Sequence, residues 1–500
     1  MVRDLPIPNY IFSLCPSDSN SPCMGIDESM NRFSQELIKT WTQISPRFLP
    51  FADAATPDLP LSRLLRLSLF QVSVGMALVL VIGTLNRVMI VELHVPASLV
   101  AIMISMPLVF APFRALIGFR SDNHRSALGW RRVPYIWMGT LVQFGGLAIM
   151  PFALLVLSGL GSAKDAPVWI GQLGAAVAFL LVGAGLHTTQ TVGLALATDL
   201  APPESRPKVV GLMYVMLLFG MIVSALLFGV ALADFSPGRL IRVIQAAAVI
   251  TLVLNVSALW KQEPRRSRNS IPLRADSDFL ESFRTFAHGG NAVRRLIAVG
   301  LGTMAFSMED VLLEPYGGEI LHLSVGDTTS LTATLAIGGL LGFGLASRIL
   351  SRGADPFRMA ASGALVGIPA FLLVIFAAPM TSGMMFGLGT LLIGFGAGLF
   401  GHGTLTATMN LAPAGQAGLA LGAWGAVQAT AAGIAVALGG IIRDVVAMFT
   451  DSATGYMSVY SIEIFLMLAT IIIMLPLIKK SAATSELTLE RQTPQVSARW

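Results

Sequence analysis

The chain has 500 residues, of which 54% are hydrophobic and 12% charged, and its mean hydropathy is +0.72. These values exclude an ordinary soluble domain and predict a protein that crosses a membrane many times. The formal net charge of +5 comes without a basic patch interleaved with aromatic residues, so it gives no reason to expect a nucleic-acid partner.

Twelve apolar stretches are long enough to span a membrane, because a helix of about 20 apolar residues crosses the roughly 30 Å hydrocarbon core. They lie at residues 67–91, 95–119, 134–158, 168–199, 209–233, 240–260, 293–313, 329–350, 357–378, 383–409, 417–440 and 456–478. We therefore predict an all-α membrane protein with twelve transmembrane helices.

The basic residues predict how these helices are oriented, because Lys and Arg concentrate in the cytoplasmic loops of membrane proteins. With both termini in the cytoplasm, only Lys164, Arg239, Arg242 and Arg443 lie on the outer side. We therefore expect both termini inside and the basic loops against anionic lipids. Residues 1–60 are largely polar and lack a hydrophobic segment near the start, so no cleavable signal peptide is expected.

A charged run, RSDNHRSALGWRR at residues 120–132, separates the second and third spans. Its order of glycines, a carboxylate and arginines resembles the loop between helices two and three of major facilitator transporters. In that loop the carboxylate caps a helix end and the arginines face anionic headgroups. Extra residues before the second glycine predict a departure from ordinary transporter gating. The residues of this loop motif are Gly118, Asp122, Arg125, Gly129, Arg131 and Arg132.

The chain contains an internal repeat, in which residues 180–202 align without a gap on residues 391–413 and share LL-x-G-x-G and L-A-P. The alignment places Asp199 on Asn410, and the same offset pairs Gly229 with Gly440. The repeat predicts two six-helix bundles of major-facilitator type. We expect a cytoplasmic segment with an interfacial helix at 1–60, bundles at 61–260 and 293–480, a cytoplasmic linker with a short amphipathic helix at 261–292, and a cytoplasmic tail at 481–500.

Three stretches closely resemble the PucC/LhaA family of purple phototrophic bacteria: residues 67–93, residues 110–132 and the EPYGG sequence at 314–318. The resemblance covers about residues 50–480. It implies a major-facilitator fold in the bacterial inner (intracytoplasmic) membrane and a role in assembling light-harvesting antenna complexes. It also implies transient bacteriochlorophyll binding, with antenna polypeptides as partners and the machinery of bacteriochlorophyll synthesis or membrane insertion as a further one. The resemblance does not decide whether the core or the peripheral antenna is the one served.

Charged side chains inside membrane spans cost at least about 2.5–3.5 kcal/mol by insertion scales, so those that occur usually pair or line a polar cavity. Arg87 lies in the first span, and Glu309, Asp310 and Glu314 lie in or just beyond the seventh. Aligning the two segments predicts that Arg87 pairs with Asp310 or Glu309 and latches the bundles near the outer side. We interpret the four residues as a charge network along the cavity, with a purely structural bridge as the alternative.

Two histidines, His187 in the fourth span and His402 in the tenth, fall near the middle of the membrane. A neutral imidazole binds the magnesium of a chlorophyll, so both are pigment-ligand candidates; hydrogen-bonded structural histidines and a proton relay are the alternatives. Nearby glycines leave room for a flat macrocycle in the pigment interpretation. These glycines are Gly183, Gly185, Gly398, Gly401 and Gly403.

Enzymatic motifs are missing from the sequence: it has no Walker loop, no Gly-x-Ser-x-Gly elbow and no His-Glu-x-x-His pair. Cys15 and Cys23 are the only cysteines, and two ligands in a reducing compartment do not make a metal centre. We therefore expect a non-enzymatic assembly factor. A secondary transporter of a pigment, precursor or other small molecule, and an accessory subunit of bacteriochlorophyll synthesis, are the alternatives.

Overall fold

A computed structural model describes residues 59–109, 117–118, 120–121, 130–159, 166–202, 205–263, 292–410 and 417–492 of the chain. Three residues of the loop motif, Asp122, Arg125 and Gly129, lie outside this part. The interfacial helix predicted within 1–60 and the amphipathic helix predicted within 261–292 also lie outside it.

The described residues form helices and no strands. The twelve principal helices are α1 Leu61–Glu92, α2 Ala97–Val109, α3 Val133–Leu157, α4 Val168–Leu200, α5 Arg206–Ala231, α6 Pro237–Leu259, α7 Val293–Glu319, α8 Val325–Leu350, α9 Pro356–Ala377, α10 Gly383–Asn410, α11 Ala417–Phe449 and α12 Ser452–Gln492. Eleven are long and apolar enough to cross a membrane, and α2 is described over 13 residues. The predicted all-α architecture of two six-helix bundles, α1–α6 and α7–α12, is confirmed.

Large apolar side chains cover the outside of the molecule, as a lipid environment requires. Phe152 is 71% exposed, Val230 80% and Phe465 69%. The interior also contains polar side chains, and in the first bundle the Asn255 side chain donates to Thr140 Oγ1 at 2.9 Å. This distribution is that of a multi-pass membrane protein.

Helix α1 is irregular in its second half. It is α-helical up to Leu78 and then forms wide π-helical turns over Val79–Leu85 and Val88–Glu92. A π-turn places residue i next to residue i+5 instead of i+4. Residues after Val79 therefore face directions that an α-helical wheel of the sequence does not give.

Helix α7 is broken within the membrane. Its first part ends at Ala305, a single 3₁₀ turn covers Glu309–Val311, and the last part is Leu313–Glu319. Pro315 contributes to this break, because proline has no N–H to donate to the carbonyl four residues earlier. That carbonyl belongs to Val311, and the Asn86 side chain of α1 donates to it at 2.8 Å.

The two bundles meet through small residues at one face of the molecule. We call the face at which α1 begins the Leu61 face and the face at which it ends the Glu92 face. Near the Glu92 face, a Cβ on Gly440 of α11 would lie 2.4 Å from the Ala101 Cβ of α2. Similarly, a Cβ on Gly326 of α8 would lie 2.7 Å from the Gly229 carbonyl of α5. Gly229 and Gly440, paired by the repeat, thus occupy corresponding contacts between the bundles.

Candidate functional site

A reciprocal contact joins α1 and α7. A Cβ on Gly83 of α1 would lie 2.3 Å from Glu314 Oε1 of α7, and a Cβ on Gly318 of α7 would lie 2.8 Å from Arg87 Nη2 of α1. Each helix therefore carries a glycine and a charged residue four positions apart, and the charged side chain of one helix rests on the glycine of the other. We call these four residues the glycine–charge interlock.

Arg87 is 3% exposed, and its guanidinium donates to Glu92 Oε1 at 2.6 Å and to the Leu323 carbonyl at 3.0 Å. Within the described residues it forms no ion pair with Asp310 or Glu309, which corrects the predicted latch. The π-turn over Val88–Glu92 explains the difference, because it brings residues five apart together. The true partner lies on the same helix.

Glu314 connects a third helix to the interlock. The Thr332 hydroxyl of α8 donates to Glu314 Oε1, and Glu314 is 4% exposed. Its second oxygen, Oε2, has no hydrogen-bond partner in the described part of the chain. The side chain thus joins α1, α7 and α8 at one point.

Glu309 belongs to a different cluster from Arg87. Its backbone N–H donates to Glu463 Oε1 of α12 at 2.7 Å, and both carboxyl groups are buried. Asp310 lies beside it in the 3₁₀ turn. The four charged residues predicted as one network are therefore divided, with Arg87 and Glu314 at the interlock and Glu309 and Asp310 within the second bundle. Sequence reasoning missed Glu463, although it too is a carboxylate inside an apolar span.

A second set of polar contacts lies at the Glu92 face. Arg443 of α11 donates to Glu319 Oε2 of α7 at 2.5 Å and to the neighbouring Asp444 at 2.9 Å, and its guanidinium lies 4.6 Å from the centre of the Tyr456 ring. Asp444 Oδ2 accepts from the Ser98 N–H at 2.7 Å, in the first turn of α2. A carboxylate at a helix N-terminus is stabilised by the free N–H groups there. This contact ties α11 to α2 across the bundles.

At the Leu61 face, the described arginines of the loop motif are paired rather than turned to lipid. Arg131 and Arg132 both donate to Asp199 at the end of α4, Arg132 from Nε at 2.8 Å, and Arg132 is 5% exposed. Glu263 accepts from the backbone N–H groups of residues 131–133. The expectation that these arginines face headgroups is corrected, because a carboxylate at the end of α4 lies within reach. Gly118 lies near Thr191: a Cβ on Gly118 would be 4.0 Å from the Thr191 methyl group.

The glycines around His187 do not leave space for a pigment. A Cβ on Gly183 would lie 2.2 Å from the Pro107 ring of α2, and one on Gly185 would lie 2.4 Å from the Gln143 backbone of α3. Close helix packing uses both glycines, which corrects their predicted role as space for a macrocycle.

The surroundings of His402 are more open. Gly398 and Gly403 pack against α8 and α9, but a Cβ on Gly401 would meet nothing within 4 Å. The His402 ring also lies against Phe343, with ring centres 4.3 Å apart. His402 therefore has a free glycine surface next to it on the same helix.

Two further histidines were missed by the sequence reasoning. His94 follows α1 and His322 follows α7, and both have left-handed backbones, with φ of 52° and 54°. The same hydrogen bond closes both turns, from Val95 N–H to the Met89 carbonyl at 2.8 Å and from Leu323 N–H to the Gly317 carbonyl at 3.0 Å. Both histidines line one cavity of about 440 Å³ at the Glu92 face. A Leu-His dipeptide occurs once in each of the two loops, and this repeated pair could have indicated both histidines from the sequence.

Two helical bundles joined by a charged contact between α1 and α7 define a multi-pass membrane protein with the major-facilitator fold. The xylose transporter XylE from E. coli, in its inward-open conformation, is similar, with a TM-score of 0.61 over 82% of this chain and 95% of the transporter. Sequence identity to it is 14%, so the similarity concerns the fold alone.

The family is narrower than the fold. Residues 84–482 match the PUCC protein family, and the chain belongs to that family. It is 63% identical to "Protein PucC" of Rhodovulum sulfidophilum over 87% of this chain and 96% of the relative. It is 57% identical to "Protein PucC" of Cereibacter sphaeroides over 92% of this chain and 100% of the relative. The "Bacteriochlorophyll synthase 44.5 kDa chain" of Rhodobacter capsulatus is a more distant relative. It is 28% identical over 81% of this chain and 92% of the relative. The resemblance inferred from the sequence is confirmed.

Proposed function

We propose that this protein is a non-enzymatic assembly factor for light-harvesting antenna complexes in the inner (intracytoplasmic) membrane of a purple phototrophic bacterium. In this role it binds or delivers bacteriochlorophyll and engages antenna polypeptides. The observation that carries the proposal is membership of the PUCC family over residues 84–482. The geometry supports it, because Arg87 and Glu314 are used in the contact between α1 and α7 instead of being presented to a solute.

His402 is the better candidate for a pigment ligand. Its imidazole would supply a nitrogen to the magnesium of bacteriochlorophyll, and the macrocycle needs a flat, unobstructed surface beside that nitrogen. Gly401 offers such a surface, whereas Gly183 and Gly185 before His187 are covered. The apolar exterior of the bundles would accept the hydrocarbon tail of the pigment and a single-span antenna polypeptide.

The test is to purify the full chain in mild detergent from a pigment-producing host, then to measure pigment absorption per protein and the small polypeptides that copurify. We expect His402→Phe to lower bound pigment several-fold while the protein still inserts, because phenylalanine keeps an apolar ring but has no ligating nitrogen. His187→Phe is the matched control and should retain pigment. Unchanged pigment in the double variant would remove both histidines as ligands.

Two other functions are alternatives. One is transport of a small molecule, and the other, favoured by the relative named as a synthase chain, is a role beside bacteriochlorophyll synthesis. A transporter should show solute flux when the purified protein is placed in liposomes. A synthesis subunit should increase turnover of a pigment precursor when it is added to the remaining enzyme components.

A further inference from the structure

Two carboxyl groups are buried together inside the second bundle, at the break of α7. Glu309 is 2% exposed and Glu463 of α12 is fully buried. One oxygen of Glu463 accepts from the Glu309 N–H at 2.7 Å. In the described part of the chain, the Oε2 atoms of both carboxyl groups lack a hydrogen-bond partner. Burial without partners is costly for a carboxylate in its charged form.

The charged and titratable groups around this pair do not supply a compensating positive charge. The neighbours on α7 and α12 are Asp310, Tyr316, Tyr456 and Tyr460. Among the described residues, no Lys, Arg or His forms an ion pair with Glu309 or Glu463.

The cations of the adjacent helices are already engaged. Arg443 of α11 is paired with Glu319 and Asp444, and Arg87 of α1 with Glu92. Helix α9 contributes the Phe371 ring, stacked on the ring of Tyr460. The pair is therefore surrounded by acids, phenols and apolar groups.

The broken helix adds further polar groups at the same place. Between Ala305 and Leu313 the regular hydrogen bonding of α7 is interrupted. The Tyr460 hydroxyl, which is fully buried, also has no hydrogen-bond partner among the described residues. Broken helices with acidic side chains at membrane depth are places where transport proteins bind ions or protons. No group of three or more metal-ligating side chains occurs in the described part of the chain, so the donor set does not fit a divalent metal.

We propose that Glu309 and Glu463 form a proton-binding site that holds at least one proton in the state described here. The proton comes from solvent, neutralises one carboxylate and turns its oxygen into a hydrogen-bond donor, so no electrons are transferred. Release of the proton leaves an unpaired charge at the break of α7. The last part of α7 carries Glu314 and Gly318, so the site lies on the same broken helix as the glycine–charge interlock.

Thermal unfolding of the full chain in lipid nanodiscs, measured from mildly acidic to mildly alkaline pH, tests this proposal. A proton bound only in the folded state stabilises that state at low pH and is lost as pH rises. The folding equilibrium constant of the wild type should therefore fall by about tenfold per pH unit for each proton released. Glu309→Gln/Glu463→Gln should lose this pH dependence, because glutamine mimics the protonated carboxyl group.

Infrared spectroscopy supplies a readout that is specific to the site. The wild type should show the carbonyl stretch of a protonated carboxyl group, and at least one of Glu309→Gln and Glu463→Gln should weaken it even if the double variant does not fold. Asp234→Asn, at an exposed acid, is the control and should change neither the band nor the pH dependence. The proposal is overturned if Glu309→Gln and Glu463→Gln each retain the full band and pH dependence, or if sodium ions alone stabilise the wild type at alkaline pH but not Glu463→Gln. None of these measurements depends on antenna assembly.

Discussion

At the scale of single residues, two glycines make room for charged side chains where α1 meets α7. Gly83 and Gly318 have no side chain to fill the space that Glu314 and Arg87 occupy. The charged groups are thereby placed against backbone, where Glu92, the Leu323 carbonyl and the Thr332 hydroxyl replace part of the lost water. Small residues likewise allow close packing in many contacts between membrane helices.

We predict that Gly318→Ala destabilises the protein by about 1–3 kcal/mol, because the added methyl group overlaps the Arg87 guanidinium and forces it to move. The measurement is the midpoint of thermal unfolding in detergent. Gly344→Ala in α8 is the matched control, since a Cβ there meets nothing within 4 Å, and it should leave the midpoint unchanged or slightly higher. Equal effects of the two substitutions would contradict the interlock.

Sequence reasoning placed Arg87 and Glu314 among the charged residues in or next to the membrane spans, but it gave Arg87 the wrong partner. The error came from the assumption of an α-helical period in α1. Arg87 and Glu92 are five residues apart, a spacing that α-helical patterns do not bring together but that a π-turn does. No pattern in the local sequence predicts that π-turn.

At the scale of elements, α7 shows how one proline is accommodated inside a membrane. Pro315 leaves the Val311 carbonyl without a donor from its own helix, and Asn86 of α1 provides one. In a membrane such compensation has to come from protein, because no water is available in the hydrocarbon region. The EPYGG sequence therefore breaks a helix and also prepares its contact with a neighbour.

We predict that Asn86→Ala costs about 1–3 kcal/mol, the range for leaving a buried polar group unpaired. Adding Pro315→Ala should recover part of this loss, since residue 315 then has an N–H for the Val311 carbonyl. A double-mutant cycle on unfolding midpoints measures the coupling between the two positions. Strictly additive effects would mean that Asn86 acts independently of the proline.

The hydrophobic spans were predictable because length and apolar composition are properties of the local sequence. The ends of the helices were harder to predict. Helix α11 continues to Phe449, beyond the predicted limit of 440, and α7 continues to Glu319, beyond the predicted limit of 313. Both extensions contain charged residues, Arg443, Asp444 and Glu319, that a hydropathy window excludes. They remain helical because those side chains are paired with one another.

At the scale of the whole molecule, the repeat predicted more than the number of bundles. It paired Gly229 with Gly440, and the structure places both at contacts between the bundles near the Glu92 face. The pairing of Asp199 with Asn410 shows where the halves differ, because Asp199 forms ion pairs with Arg131 and Arg132 that a neutral amide cannot form. Such differences depend on distant partners and could not be read from either half alone.

The orientation of the molecule is open to a direct test. We predict that the Leu61 face is cytoplasmic, because the basic loops emerge there. In a chain without its two native cysteines, Ser126→Cys and Ser270→Cys should resist an impermeant thiol reagent in intact cells, while Ser162→Cys should react. Labelling of Ser126→Cys or Ser270→Cys before the cells are opened would invert the assignment.

The wide turns of α1 also set the phase of everything that follows them. Each residue advances an α-helix by about 100°, so a single extra residue accommodated in a wide turn rotates all later side chains by that angle. Closing the wide turn over Val79–Leu85 at constant length would therefore swing Arg87 away from Gly318, whereas deleting one residue there would let ordinary helical geometry return with Arg87 still facing Gly318. A relative that lacks one residue in this stretch would therefore keep the contact with a regular helix, whereas a relative of full length with a regular helix would have lost it.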